Sequence, residues 1–202
     1  TSSAASDVYK RQLVYWSNWS GMADVSQGIE VQRGLGASKL AISSVGGTIN
    51  IITKTTEAKK GGFFRTMAGS NGYFKNTFSY NTGLKDNGLS FSMLIDHWQA
   101  DKKFRKWTKG QGQTYFFSVG YVKGNHNANL MLTGAPQWHN QSWSESAGRY
   151  EQYGIDYNGR GGTLNGEEYT ERRNFYHKPV LNLSWDWDIS NETVSYTHLT
   201  LP

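Results

Sequence analysis

Cysteine is absent from the 202 residues, so the chain can hold no disulfide framework and no thiolate metal site. Only 3 prolines interrupt it. No apolar run approaches the ~18–20 residues that a membrane-crossing helix needs, and mean hydropathy is low. These absences leave two classes open: a soluble all-β domain, and a transmembrane β-barrel, whose strands carry only a weak alternating signal. Lys and Arg number 21 against 16 Asp and Glu. That excess is mild, and no DNA- or RNA-binding motif accompanies it, so nucleic acid is not expected as a partner.

The two ends read as foreign. Residues 2–12, SSAASDVYKRQ, match the translation of a transposase-type sequencing adapter, and Val194 to Pro202, VSYTHLTLP, match the translation of its reverse complement. The expectation is that 1–12 and 194–202 are adapter-derived. The authentic segment then carries a net charge of about +4 once Asp7, Lys10 and Arg11 are set aside.

Aromatic residues make up 14% of the chain and 23 residues are glycine. From Gly62 onward the apolar positions recur with period two, the mark of half-buried strands. Phe74, Phe78 and Tyr80 share a face opposite Lys75, Thr77, Ser79 and Asn81. Leu89, Phe91, Met93 and Ile95 oppose Ser90, Ser92 and Asp96. Tyr115, Phe117, Val119 and Tyr121 alternate with Thr114, Phe116, Ser118 and Gly120. Ala128, Leu130 and Leu132 alternate with Asn127, Asn129 and Thr133. In the clearest strand, Leu181, Leu183, Trp185, Trp187 and Ile189 oppose Asn182, Ser184, Asp186 and Asp188.

Short connections are expected at 84–88, where Asn87-Gly88 is a hairpin signal, at 123–126 and around Ser190-Asn191. Longer polar ones are expected at 99–113 and 135–177, with a tight first loop near Ser70-Asn71-Gly72. Short turns alternating with long loops are the habit of outer-membrane barrels. Tyr80, Tyr121, Trp185 and Trp187 fall at the short-turn ends, where an interfacial girdle would sit. Alternation by itself fits a soluble sandwich equally well, because a half-buried strand reads the same from either side. The Asn and Asp residues opposite Leu181–Ile189 suit a wet lumen.

Residues 29–54 read IEVQRGLGASKLAISSVGGTINIITK. This stretch resembles the end of the plug domain of TonB-dependent outer-membrane receptors: a strand closing on an acidic residue, Val and Arg-Gly, a Gly- and Ala-rich stretch, then Gly-Gly and Ile-Asn-Ile-Ile-Thr-Lys. Glu30, Val31, Arg33, Gly34, Gly36, Gly46, Gly47, Asn50, Ile51, Thr53 and Lys54 fall on that pattern. Leu35 stands where many members carry proline, and the usual Tyr-Gly ahead of the double glycine is replaced by Leu40-Ala41 and Ser43-Ser44. Gly34-Leu35-Gly36 is no phosphate loop, since the Gly-Lys-Ser/Thr ending and a third glycine are missing. Arg33-Gly34 and Gly46-Gly47 set the stretch closer to the siderophore and small-nutrient branch than to the glycan importers of the starch-utilisation type.

The resemblance implies an all-β protein: the C-terminal part of a plug at 13–55, followed at 56–193 by about six strands of a partial transmembrane antiparallel barrel with extracellular loops. It implies TonB-dependent uptake of a scarce small ligand across the bacterial outer membrane. The partners would be outer-membrane lipid, the ligand, and the TonB energy-coupling complex, reached through an N-terminal segment outside this chain. Neither an enzyme activity nor a cofactor is implied. The alternative is a non-transport outer-membrane or extracellular β-domain that binds glycan or protein.

No catalytic or metal constellation is legible. His97, His126, His139 and His177 are scattered, and Asp186 and Asp188 read as a lumen-facing pair. Two loops hold candidate contacts. The basic stretch 102–109, KKFRKWTK, suits phosphate or an anionic ligand, and suits a solvated loop as well. Trp138, His139, Trp143, Tyr150 and Tyr153, with Tyr157, give a long polar loop the contact area that ligand capture needs; the same rings could instead pack the loop against itself.

Overall fold

The computed structural model describes residues 2–3, 19, 21–33, 47–53, 55–190 and 193–201. Among the described residues the fold is all-β and antiparallel, with two short α-helices. A small sheet has the order β1-β3-β2, with β1 at Ser2–Ser3, β2 at Gly28–Arg33 and β3 at Gly47–Ile52. The four-residue helix α1 (Met22–Val25) precedes β2, and a 3-10 turn at Thr55–Glu57 follows β3. No helix of the described residues is long and apolar enough to cross a membrane.

The main sheet, here called the wall, runs β4 (Gly61–Ala68), β5 (Phe74–Asn81), β6 (Leu89–Ala100), β7 (Gly110–Lys123), β8 (His126–Gly134) and β13 (Val180–Ser190). Each strand pairs with its neighbour in that order. These are the six strands expected. Between β8 and β13 lies an insertion containing β9 (Gln137–Asn140), α2 (Ala147–Tyr153), β10 (Gly161–Leu164), β11 (Glu167–Thr170) and β12 (Arg173–Tyr176). β9 extends the wall by pairing with both β7 and β12. A seventh wall strand, β14 (Thr193–Leu201), pairs with β13 and covers most of the stretch expected to be adapter-derived. That pairing says nothing about coding origin, since an extended segment free of proline can fill any open edge.

The turns follow the residue signals. Gly88 takes φ +81° and its N–H donates to the Lys85 carbonyl at 2.8 Å, while Asn87 Oδ1 accepts from the Leu89 N–H. Asn71 and Gly72 sit at φ +61° and +69° in the β4–β5 loop. One boundary differs from expectation. β6 runs on to Ala100 and β7 starts at Gly110, so the connection is 101–109 rather than 99–113. His97, Gln99, Gln111 and Gln113 are polar, yet pair in register across these strands, because backbone hydrogen bonds do not depend on side-chain hydropathy.

The wall's two faces have unusual chemistry. On one face lie Phe78, Leu89, Ile95, Val119, Leu130, Leu181, Leu183, Trp185 and Trp187, each about 40% exposed. On the other lie Thr77, Ser79, Ser90, Ser92, Asp96, Thr114, Ser118, Thr133 and Asn182, none above 5%. The polar row is the buried one. What covers it is the segment before β4: Met22 and Ile51 pack with Leu94, Phe116 and Met131 into a small cluster, flanked by Trp19 and Val25. Gly120 marks the closest approach, since a Cβ there would lie 2.5 Å from Thr56 Cγ2 and 2.6 Å from Ser90 Oγ. In the small sheet, Ile51 is buried, whereas Ile29 and Val31 of β2 are more than half exposed.

Candidate functional site

The connection 101–109 and the insertion after β8 fold together into a single cap at the long-loop end of the wall. Asn158, 0% exposed, holds it: its amide donates to the Lys106 and Gln141 carbonyls at 3.1 and 3.2 Å, and its Oδ1 accepts from the Arg160 N–H. The Asn140 amide donates to the Trp107 carbonyl at 3.2 Å, and Arg173 Nε donates to Asn140 Oδ1 at 2.9 Å. Thr108, also buried, accepts from the Lys103 N–H and donates to the Arg105 carbonyl. The Asn165-Gly166 pair, both at positive φ, closes the β10–β11 hairpin.

The five aromatic candidates do not converge on one pocket. Arg105 joins two of them: its guanidinium stands 5.3 Å from the Tyr150 ring centroid, and its Nη1 donates to the Trp143 carbonyl. Trp143 carries Arg160 over its face at 4.7 Å and is otherwise exposed. Trp138 and His139 are consecutive on β9 and so point to opposite faces. Trp138 is covered by Arg173 at 4.2 Å, and His139 stacks on Tyr176 at 5.5 Å. Tyr153 stacks on Tyr157 at 4.7 Å. A cation over the ring face is an attractive arrangement, so these rings already have partners within the cap. The sequence reading had not singled out Arg160, Arg173, Tyr176 or Asn158. Their roles depend on contacts between segments far apart in the chain.

The basic stretch is likewise engaged in part. Lys106 pairs with Asp156 at 3.3 Å. Lys103 has no carboxylate at ion-pair distance among the described residues, and burial lowers its pKa. Burial first, and the neighbouring Lys103 charge second, lower the pKa of His139. His97 meets Gln113 at 3.3 Å and His177 meets the Tyr115 hydroxyl at 3.0 Å. Among the described residues no three His, Asp or Glu side chains cluster as metal ligands.

Of the plug-motif residues, Glu30 is exposed on β2 and faces Asn50 of β3 in register, and Arg33 is opposite Gly47. Gly34, Gly46 and Lys54 lie outside the described residues. At the opposite end of the wall from the cap, His126 stacks on Trp185 at 5.7 Å and lies tilted against Trp187 at 5.5 Å, adding a ring to the aromatic row expected there.

No family model, no curated protein and no solved structure matches this chain.

Proposed function

We propose that this chain is part of a TonB-dependent receptor of the bacterial outer membrane, importing a scarce small ligand of the siderophore type. The observation that carries the reading is the inverted wall. A soluble sandwich would bury Leu181, Leu183, Trp185 and Trp187 and expose Asn182. Here Asn182 is 2% exposed while the apolar row is bare along the strands. Hydrocarbon can cover such a row, and a plugged lumen can accept Asn, Ser and Thr. From the segment resembling a plug, Ile51 and Thr53 meet the polar side, flanked there by Met22 and the Thr55–Glu57 turn.

Further support comes from the connections flanking β8, two residues at 124–125 on one end of the wall against the long insertion on the other. In this reading the cap is extracellular and receives the ligand, with Trp143 the most open of the five candidate contact residues. The TonB complex would act through a plug segment upstream. The test is made on the complete protein in outer-membrane vesicles and cells. It should fractionate with the membrane, shift in mobility on heating as folded barrels do, and support uptake of ferric chelates that stops when TonB is deleted. Recovery as a soluble monomer would overturn the reading, and so would uptake indifferent to TonB.

A further inference from the structure

A cleft of about 350 Å³ lies between the α1–β2 junction, the 53–59 stretch and the wall. It sits toward the wall's short-turn end, against Ser79 and Asn81 at the end of β5 and Ser92 near the start of β6. The cap stands at the other end, so a ligand captured by the cap would not first bind here. The lining is of three kinds. Thr55, Ser79 and Ser92 form a hydroxyl floor, none above 5% exposed. Val25 and Phe116 give an apolar flank, and both belong to the packing around Met22. Asp24, Glu57 and Lys59 are more open and stand toward the rim.

This chemistry selects among occupants. Thr55 Oγ1 and Ser92 Oγ are buried and without a hydrogen-bond partner. A purely apolar ligand would leave them so, at a cost. A charged ligand finds no free counter-charge at the floor, which carries only hydroxyls, and Asp24 is already held by Arg65 at 2.5 Å. Water suits the hydroxyls but gains nothing from the Val25 and Phe116 flank. A neutral ring with hydroxyls on its edge and C–H groups on its face suits floor and flank together, because its hydroxyls donate and accept as those of Ser and Thr do. The volume is within the range of small-molecule sites. We propose that the cleft binds a small neutral saccharide, with Thr55 and Ser92 on its hydroxyls and Val25 and Phe116 against its C–H face. The site rests on this lining alone. Its biological use rests on the transporter reading, in which the short-turn end faces the periplasm and the saccharide arrives from that side, distinct from the imported ligand.

The experiment uses the complete protein with Ser26→Cys, a half-buried position in the cleft lining, as its one cysteine; this segment supplies no other. Labelling by a water-soluble maleimide is followed with and without glucose, N-acetylglucosamine or cellobiose. At saturation the sugar that fits should slow labelling about 5–10-fold. Ser92→Ala, which removes one floor hydroxyl, should raise the sugar concentration needed for half-protection about 5–10-fold. A control cysteine at Ser70→Cys, in the β4–β5 loop, should label at one rate throughout. Labelling of Ser26→Cys indifferent to all three sugars would overturn the site and leave water as its occupant. So would protection unchanged by Ser92→Ala, or equal slowing at Ser70→Cys, which would mark a solvent effect. The two readings fail separately. A membrane-inserted, TonB-dependent protein without the protection loses the saccharide site alone; a soluble protein that shows it loses the transporter reading and keeps the site.

Discussion

In the wall, a residue's side is set by the parity of its position; in the cap, it is set by which carbonyl or ring its side chain can reach. Leu183 and Ser184 are adjacent on β13, yet one is about 40% exposed and the other turns toward the covered face. Asn140 and Asn158 are far apart in the chain, yet both donate to carbonyls of the 101–109 connection. The wall should accept substitutions that keep the alternation. The cap depends on a few amides. The difference teaches where a change should act globally and where only locally.

The largest effect is expected from breaking parity at mid-wall. Under the proposed membrane reading, Leu183→Arg in the complete protein places a cation on the lipid-facing side, at a cost of roughly 2–4 kcal/mol near the bilayer centre. Ser184→Arg keeps the charge on the inner side. The first should deplete the heat-shifted, membrane-inserted form; the second should retain it and alter contacts with the plug-like segment. Equal losses in the two variants would mean that the faces are not chemically distinct, and the inverted wall would lose its meaning.

Next comes Asn158→Ala, which strands the Lys106 and Gln141 carbonyls in a dry site. The cost is roughly 1–3 kcal/mol, borne by the cap. Proteolysis within 141–172 should speed up while the wall's thermal transition stays put. If the wall transition drops as far as the cap's, the two regions are one cooperative unit.

Gly120→Ala probes the seam between wall and plug-like segment. Its methyl group would meet Thr56 Cγ2 and Ser90 Oγ. Overpacking of this kind costs roughly 1–3 kcal/mol, here at the low end because both side chains can rotate. Thr56→Ser removes the opposing methyl and should recover most of the loss in thermal transition. No recovery would place the strain in the backbone instead.

Much of the wall was legible because period two is a local property. Six strands, the Asn87-Gly88 turn and the outward row at Leu181–Trp187 all follow from neighbours in sequence. The inward face was legible too, as a row of Ser, Thr and Asn. Which side would be covered does not follow from alternation, which has no sign until another segment packs against it; the polar row was assigned to a wet lumen from its Asn and Asp chemistry. The resemblance at 29–54 suggested that segment. The cap was illegible for a different reason. Trp138 and Trp143 stand out as aromatics, but the arginines that cover them come from 173 and 160, and no spacing rule joins those positions. The same holds for Asn158, an ordinary loop residue in the sequence and the most buried one in the cap.

The smallest effect concerns pH and sharpens the comparison from the cap's side. His139 is half-buried between β7 and β12, stacked on Tyr176 and close to Lys103. Burial, then the Lys103 charge, favours its neutral form, so its folded pKa lies below the ordinary histidine value. An opened cap would leave the imidazole near its usual pKa of about 6.5. Between those two values the open form binds more protons than the closed one. The cap should therefore be at full strength above about pH 6.5 and weaken as pH falls through the depressed folded pKa, with no further change from this group below it. Lys103 adds a separate window on the alkaline side: its pKa is also depressed, so opening becomes harder as pH rises from that value toward the free lysine range. A fluorescent probe at Tyr153→Cys, followed in urea at pH 7.5 and 5.0, should show the acid shift, and His139→Gln should flatten it. A midpoint that rises at pH 5.0, or an acid shift that survives His139→Gln, would assign the cap's pH response to another group. The wall's transition should stay level over the same range, because its buried polar row is mostly hydroxyl and amide.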